Sequence, residues 1–237
     1  MNQKELLDLY REFGSKAQEA LDFVVKNSPV LKIVDQVPAI DEGGNIFFVD
    51  KLQGTERLKD GIYIIFRNGQ YKPFDKEDDF NKDDVKYIGV IHDGHHFAVA
   101  LKDLGSYHLL KDGANCPEKS KFYVRRECDA INDWEYVNRT RHIQKLGTDI
   151  PLKEGEYIPS LPILAAMCYW AERGLNEALE FVGGEPLDME GFYWSCSEGN
   201  ATYAWYVHFQ NGNMSNLNKY GQLVVRAVTA FTYALSA

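Results

Sequence analysis

The sequence predicts an α+β fold, in which short strands come first, helices follow, and antiparallel strands end the chain. Stretches rich in β-branched and aromatic residues lie between residues 46 and 102, and a strongly apolar helical run covers residues 160–182. Alternation of apolar and polar residues then returns between residues 193 and 231. Because 45% of the 237 residues are hydrophobic, the chain can bury a sizeable core.

The first predicted element is an amphipathic helix over residues 4–26, which we treat as a separate N-terminal element of residues 1–28. Its apolar residues recur at spacings of three and four, as in a heptad seam: Leu6, Tyr10, Phe13, Ala17, Ala20 and Val24. The stretch Asn27-Ser28-Pro29 ends it. The pattern allows two interpretations, a helix packed on its own domain or an oligomerisation helix.

A small β-rich region is expected over residues 29–84. Strands are predicted at residues 46–49, 62–67 and 70–74, and Asn68-Gly69 between the last two is a hairpin signal. Residues 75–84 read DKEDDFNKDD, which lacks the glycine and glutamate spacing of an EF-hand loop. We therefore predict a solvated loop there.

Two further strands, at residues 85–90 and 97–102, flank the histidine-rich stretch His92-Asp93-Gly94-His95-His96. Imidazoles beside a carboxylate are typical of transition-metal sites. However, the sequence marks no distant partner ligand, and Asp-Gly is a common hairpin turn. We therefore predict a turn that carries exposed imidazoles, and no bound metal or other cofactor.

The clearest interior helix begins near Ser160, which we expect to cap it, with Pro162 in its first turn. Gly174 is expected to interrupt the helical run. A second helix is predicted from residue 175 to residue 182, where Gly183-Gly184 supplies a C-cap signal.

The most informative segment runs from Tyr193 to Phe231. Strands are predicted at residues 193–195, 203–210, 213–215 and 223–231. In the second of these, Trp205, Val207 and Phe209 alternate with the polar set Tyr206, His208 and Gln210. One face should therefore be buried and the other exposed. Tyr and Asn between these positions are residue types common in recognition surfaces.

The fixed positions of this segment resemble a family signature. They follow the patterns Y-W-S-S-[ST]-E, A-W-Y-V-N-F-x-N-G-x-V, N-K and V-R-x-V-x-A-F, through Tyr193-Trp194-Ser195, Glu198, Ala204-Trp205, Val207, Phe209, Gly212, Lys219 and Val225-Arg226. These patterns are typical of C-type-lectin-like domains related to the C-terminal domain of Legionella collagen-like protein. They also occur in the variable proteins of diversity-generating retroelements in gut bacteria and their phages. The resemblance extends upstream to Tyr87.

The resemblance implies a C-type-lectin-like ligand-binding domain over residues 85–237, with a variable-type segment at residues 193–231. It implies these ligand-binding residues: Asn200, Thr202, Tyr203, Tyr206, His208, Gln210, Asn216, Asn218, Tyr220 and Gln222. The expected scaffold residues are Trp194, Ser195, Glu198, Trp205, Phe209, Gly212 and Arg226. We further expect Glu198 and Arg226 to form an ion pair.

The resulting prediction is a non-enzymatic adhesin or receptor-binding protein of a phage tail or a bacterial surface, with a protein or glycan ligand on a cell surface. The alternative is a structural or assembly protein whose same face packs against another subunit, and a homo-oligomer suits both. A net charge of -9 argues against a nucleic-acid partner. Neither a signal peptide nor a membrane-inserting segment is recognised, which leaves the localisation open.

Catalysis finds little support in the sequence. The motifs Gly-x-Ser-x-Gly, His-Glu-x-x-His and the P-loop are absent. Cys196, where the family has Ser, could act as a nucleophile only with a nearby base and a lowered pKa. The calcium-ligating motifs of true C-type lectins are missing as well, and Glu185-Pro186-Leu187 only imitates one of them. A disulfide between Cys116 and Cys128 is left open.

Overall fold

The computed structural model describes residues 36–40, 46–50 and 58–231, and the chain divides into two compact units, residues 1–56 and 57–237. In the first unit, strands β1 (Gln36–Ile40) and β2 (Ile46–Asp50) form an antiparallel pair. Strand β2 covers the strand predicted at residues 46–49. The helix predicted over residues 4–26 lies outside the described residues.

The second unit is an α+β structure, as the sequence predicts, and it is built on two sheets. Its strands are β3 (Gly61–Phe66), β4 (Tyr71–Pro73), β5 (Val85–His92), β6 (His95–Ala100), β7 (Gly105–His108), β8 (Phe192–Glu198), β9 (Tyr203–His208), β10 (Asn213–Asn218), β11 (Gln222–Val225) and β12 (Val228–Ala230). Its α-helices are α1 (Glu127–Ala130), α2 (Val137–Leu146), α3 (Leu161–Trp170) and α4 (Asn176–Phe181).

Each sheet has five strands. The first sheet has the order β12-β6-β5-β3-β4 and is antiparallel throughout. The second has the order β10-β9-β8-β11-β7, in which β8 and β11 are parallel and the other pairs antiparallel. Strand β3 pairs with β5 over Gly61↔Ile91 to Phe66↔Val85. The boundary predicted between residues 84 and 85 therefore cuts through one sheet, and the compact unit begins at residue 57 instead.

The strand predicted at residues 223–231 is two strands in different sheets. Strand β11 pairs with β7 and β8 in the second sheet, and β12 pairs with β6 in the first. The backbone crosses between the sheets at Arg226 and Ala227, both fully buried. The crossing is held at its two ends, because Leu104 N–H donates to Val225 O and Ala100 N–H donates to Ala227 O. The apolar pattern of residues 223–231 therefore gives no sign that the chain passes from one sheet to the other.

Helix α3 begins where the sequence places it, but a different serine serves its first turn. The Ser160 side chain makes no capping hydrogen bond, whereas the backbone N–H of Leu161 donates to Ser197 Oγ at 3.1 Å. Pro162 lies in the first turn. Gly174 interrupts the helical run with φ +120°, a conformation that costs glycine little, and α4 follows.

Two buried clusters cover the second sheet on both faces. The larger contains first-sheet residues such as Val90, residues of α3 such as Met167, and second-sheet residues such as Val207. The smaller packs Trp194 and neighbouring second-sheet residues against the connection between β7 and α3, through Leu109, Leu110, Ile143, Ile150 and Ile158. As a result, β8 is buried at every position after Phe192.

Candidate functional site

Strand β9 has the alternation that the sequence predicts. Trp205 and Val207 are buried, and Phe209 just beyond the strand is buried as well. Tyr206 and His208 are partly exposed, and Gln210 is exposed. The strand therefore buries one face in the larger cluster and leaves Tyr206 and His208, on the other face, partly exposed.

The outward face of β9 is partly covered by aromatic neighbours. Tyr206 stands opposite Trp194 across the β8–β9 ladder, and the ring centroids are 6.5 Å apart at an interplanar angle of 87°. The His208 ring stacks on Phe192 at 4.1 Å and 11°. Tyr206 also packs against the smaller cluster. These two side chains therefore contribute to packing as well as to the surface.

The register of β10 divides the predicted ligand-binding residues between the two faces of the sheet. Residues directly opposite in an antiparallel pair point to the same face. Asn218 is opposite Tyr203, and Asn216 is opposite Trp205. By the period of two, these residues lie on the Trp205 face, whereas Tyr206 and His208 lie on the other. The predicted set is therefore not a single sheet surface.

Five of the predicted residues meet at one end of the β9–β10 hairpin, and we call this group the loop rim: Asn200, Thr202, Tyr203, Asn218 and Tyr220. The two loops are joined by a hydrogen bond from Lys219 N–H to Thr202 O at 3.0 Å. Tyr203 and Tyr220 are 41% and 38% exposed, which places them among the most exposed large hydrophobic side chains of the described residues. The loop rim therefore offers aromatic area together with amide and hydroxyl groups.

A buried ion pair anchors the loop rim from below. Lys219 Nζ lies 2.5 Å from Glu198 Oε1 and donates to Ala201 O at 3.2 Å. Both side chains are almost fully buried. Lys219 O also accepts hydrogen bonds from the backbone N–H groups of Leu109 and Leu110. One residue thus ties both rim loops to the end of β8 and to the smaller cluster.

The second oxygen of Glu198 faces a histidine. His142 Nε2 lies 3.4 Å from Glu198 Oε2, within ion-pair range but without hydrogen-bond geometry. Burial is the main cause that lowers the pKa of His142 from its ordinary value, and it outweighs the opposing influence of Glu198. Burial thus favours the neutral imidazole, and Lys219 is the cation that balances Glu198.

The ion pair predicted between Glu198 and Arg226 is not formed. Arg226 Nε donates to Asp103 Oδ1 at 2.5 Å, and its other nitrogens donate to the carbonyl oxygens of Ala100, Glu185 and Pro186. The register explains the difference. Val224 pairs with Tyr193 in the parallel β8–β11 ladder, so Glu198 lies about three residues, or roughly 10 Å, further along the sheet than Arg226.

The other predicted ligand-binding residues lie away from the loop rim. Gln210 donates to Glu190 Oε2 at 2.7 Å and sits beyond the opposite end of β9, roughly 20 Å from Tyr203 at the usual rise per residue. Gln222 contacts His108 Nε2 at 3.3 Å on β11, and β8 separates it from β9. Asn216 lies on the edge strand β10. These residues are therefore spread over different strands and ends of the sheet and do not form one patch.

The predicted scaffold side chains are buried. Trp194, Ser195, Glu198 and Arg226 have no exposed area, and Trp205 and Phe209 have 5% or less. Ser195 Oγ donates to Trp205 O at 2.7 Å and so links β8 to β9 where their ladder is irregular. Gly212 has φ +68° in the turn after β9. Sequence reasoning missed Asp103, the partner of Arg226, which lies 123 residues away.

Cys196 lacks the properties of a nucleophile. Its side chain is fully buried, and burial raises the pKa of its thiol, which leaves the protonated and unreactive form. All four cysteines are free, so Cys116 and Cys128 are not bonded to each other. The chemistry that the sequence allowed at this position is therefore not supported by its surroundings.

A cleft lies beside the Glu198 pair and includes Arg139, Arg141 and His142 from a short polar run of the sequence. It is a cleft of about 680 Å³ between α2 and the stretch before it, lined by Lys121, Phe122, Asp133, Glu135, Asn138, Arg139, Arg141, His142 and Lys145. Arg139 is buried and bonded to Asp133. Lys121, Arg141 and Lys145 form no ion pair within the described part of the chain, and the carboxylate of Glu135 lines the same cleft.

Among known proteins, this chain is similar in fold to a solved structure. No protein-family model and no curated protein matches the chain. A solved structure of a fimbrial protein from Bacteroides ovatus ATCC 8483 is similar, with a TM-score of 0.50 and 14% sequence identity. The match covers 73% of this chain and 49% of that protein, so the chain spans about half of its length. At this identity the match concerns the fold alone. Among the described residues, no helix has the length and apolarity that crossing a bilayer requires.

Proposed function

We propose that this chain is a non-enzymatic ligand-binding protein that displays a diversifiable surface on a C-type-lectin-like scaffold, as phage tail adhesins and bacterial surface proteins do. The observation that carries the proposal is the loop rim. Two exposed tyrosines, Tyr203 and Tyr220, sit on loops whose backbone is anchored by the buried Lys219–Glu198 pair. A fixed backbone with variable aromatic and amide side chains is what a recognition surface requires.

The division between buried and exposed positions supports the scaffold part of the proposal. The residues that resemble the family signature, such as Trp194, Trp205 and Arg226, have buried side chains. The positions expected to vary are all exposed or partly exposed. Changes at the positions without packing or backbone contacts, such as Thr202, Tyr203 and Tyr220, would therefore leave the core untouched. A cell-surface setting agrees with the fimbrial protein among the similar structures.

The test is a binding experiment with variants of the loop rim. The labelled full chain is applied to a printed glycan array and to an array of cell-surface ectodomains. The double variant Tyr203→Ser with Tyr220→Ser should lose at least tenfold in affinity without a change in melting temperature, as expected for aromatic hot spots. Tyr169→Ser, at an exposed tyrosine on α3, is the control.

Retained binding in the double variant would refute the assignment of the loop rim. Diversification itself is tested by the neighbouring DNA. A reverse transcriptase gene and a near-copy of the segment that encodes residues 193–231 are expected there. Their absence from a complete genome would leave a binding protein with a fixed surface.

The second candidate function is assembly with other subunits, and strand β10 favours it. β10 forms an edge of the second sheet in the described part of the chain, and its sequence NMSNLN has neither charge nor proline. Such an edge lacks the features that usually prevent pairing with another strand. Ser215→Lys with Asn216→Lys should then convert an oligomer to a monomer in light scattering. A monomeric wild type would exclude assembly through this edge.

A further inference from the structure

The histidine-rich stretch predicted as a turn is a tight hairpin between β5 and β6. His92 pairs with His95, and the two residues between them, Asp93 and Gly94, have φ +49° and φ +76°. Positive φ at both central positions is the geometry of a two-residue turn of type I′. Asp tolerates this conformation better than most residues. The turn therefore holds the Asp93 carboxylate next to the His92 imidazole.

The structure brings a further residue that can ligate a metal, Asp60, close to the hairpin, although the sequence gives no sign of it. Strand β3 pairs with β5 through Gly61↔Ile91, so Asp60, just before β3, lies beside the hairpin. The backbone N–H of Asp93 donates to Asp60 Oδ2 at 2.8 Å. As a result, one ligand atom each from Asp60, His92 and Asp93 lie within 4.8 Å of one another.

The charges of this group are unbalanced. Two carboxylates lie close together, and the basic side chain found beside them within the described part of the chain is His92, whose Nε2 lies 3.8 Å from Asp93 Oδ2; this contact is an ion pair only when the imidazole is protonated. Like charges at this separation repel each other, and a divalent cation would remove the repulsion. The net charge of -9 also favours cation binding over the whole chain.

The imidazole of His92 is held in place by packing. Its ring lies 5.3 Å from the Tyr169 ring at 40° and 6.5 Å from the Trp170 ring at 90°. Both aromatic residues belong to α3, a helix in the larger cluster. Groups that fix the orientation of a histidine ligand strengthen metal binding, because less freedom is lost when the metal arrives.

We propose that Asp60, His92 and Asp93 bind a divalent transition-metal cation, for which Zn²⁺ is the best match. The donors would be one imidazole nitrogen and two carboxylate oxygens, a mixed set that zinc accepts readily. Calcium and magnesium prefer oxygen donors alone. Three protein ligands leave at least one coordination position for water or for a donor from another molecule. This site is independent of the loop rim and of the proposed function.

The neighbouring His95 supplies a matched control. It stands opposite His92 in the same hairpin, but its ring stacks on Trp134 at 3.7 Å and 6°. The carboxylate variants are close to isosteric. Asp60→Asn keeps an oxygen that can accept from Asp93 N–H, and Asp93→Asn keeps a residue that tolerates positive φ. All variants are made in a Cys128→Ser background, because the exposed thiol of Cys128 could itself bind zinc.

The experiment is calorimetric titration of the full chain with ZnCl₂, followed by NMR of the histidine rings. The background protein should show a zinc site whose affinity falls at least about tenfold in Asp60→Asn, Asp93→Asn and His92→Gln. His95→Gln should stay within about twofold, and zinc should shift the ring resonances of His92 before those of other histidines. The proposal is overturned by equal affinity in the background and Asp60→Asn proteins, by an equal loss in His95→Gln, or by no binding at millimolar zinc.

Discussion

The buried pair Lys219–Glu198 gives the sharpest prediction for stability. Lys219→Met keeps most of the aliphatic bulk but removes the cation 2.5 Å from Glu198 Oε1. Glu198 has no exposed area, and burial disfavours the charged form of its other close neighbour, His142. The substitution therefore leaves a buried and unbalanced carboxylate, which costs about 3–5 kcal/mol. In a domain of this size, that corresponds to a fall of about 6–20 °C in melting temperature.

The assay is urea unfolding followed by tryptophan fluorescence, since Trp194 and Trp205 are buried in the two clusters. Lys102→Met is the control, because that side chain is 65% exposed and pairs with Glu185 at the surface. Its free energy of unfolding should change by no more than about 0.5 kcal/mol. Glu198→Gln with Lys219→Met should lose less stability than the two single changes added together, by about 1–3 kcal/mol.

Two results would refute this reasoning. A loss in Lys219→Met no larger than the loss in Lys102→Met would mean that the buried charge is balanced in another way. Strict additivity of the Glu198 and Lys219 variants would mean that the two side chains do not stabilise each other. In either case the anchor of the loop rim would have to lie in the backbone hydrogen bonds of residue 219 alone.

Three further predictions follow from other buried groups. Arg226→Ala removes the cation that pairs with Asp103 and should lower the free energy of unfolding by about 3–5 kcal/mol; an unchanged melting temperature would contradict this. Burial lowers the pKa of His142, so the unfolded chain binds the proton first. The stability that comes from keeping His142 neutral is complete above pH about 6.5 and is lost as pH falls toward the folded pKa. The free energy of unfolding should fall there by at most about 1.4 kcal/mol per pH unit. His142→Gln should remove this slope in urea titrations between pH 7 and 5. At neutral pH an aromatic disulfide reagent should label the exposed Cys128 within minutes and leave Cys196 unmodified until the chain unfolds, and equal rates would be inconsistent with the burial of Cys196.

Features that depend on local sequence were predictable. The period of two in β9 reflects one buried and one exposed face, and Gly174 interrupts the helical run because its positive φ is unfavourable for other residues. Both signals lie within a few residues. The α+β class follows from the order of such segments along the chain. None of these predictions requires knowledge of which distant residues meet.

Features that depend on distant partners were not predictable in the same way. A buried arginine and an exposed one look the same in a sequence. The family resemblance assigned Arg226 to the scaffold, but nothing in the sequence marks Asp103 as its partner. The change of sheet after Val225 depends on which strand edges are available, and the apolar pattern on either side is the same. The smaller cluster includes Leu109 and Ile158, which lie in the connection between β7 and α3. This connection has little regular structure, so no periodicity in the sequence indicates which of its positions are buried.

The loop rim contains two kinds of side chain: those that hydrogen-bond to the backbone of their own loop and those that are available to contact a ligand. Asn200 Oδ1 accepts from the backbone N–H groups of Thr202 and Tyr203, and Asn218 Oδ1 accepts from that of Tyr220. These amides shape their own loops, so a change at either position alters the backbone. The side chains of Thr202, Tyr203 and Tyr220 form no hydrogen bond within the described part of the chain. If the surface is diversified, these three positions can vary without cost to the loop conformation, whereas Asn200 and Asn218 should vary less or only among residues that cap a turn.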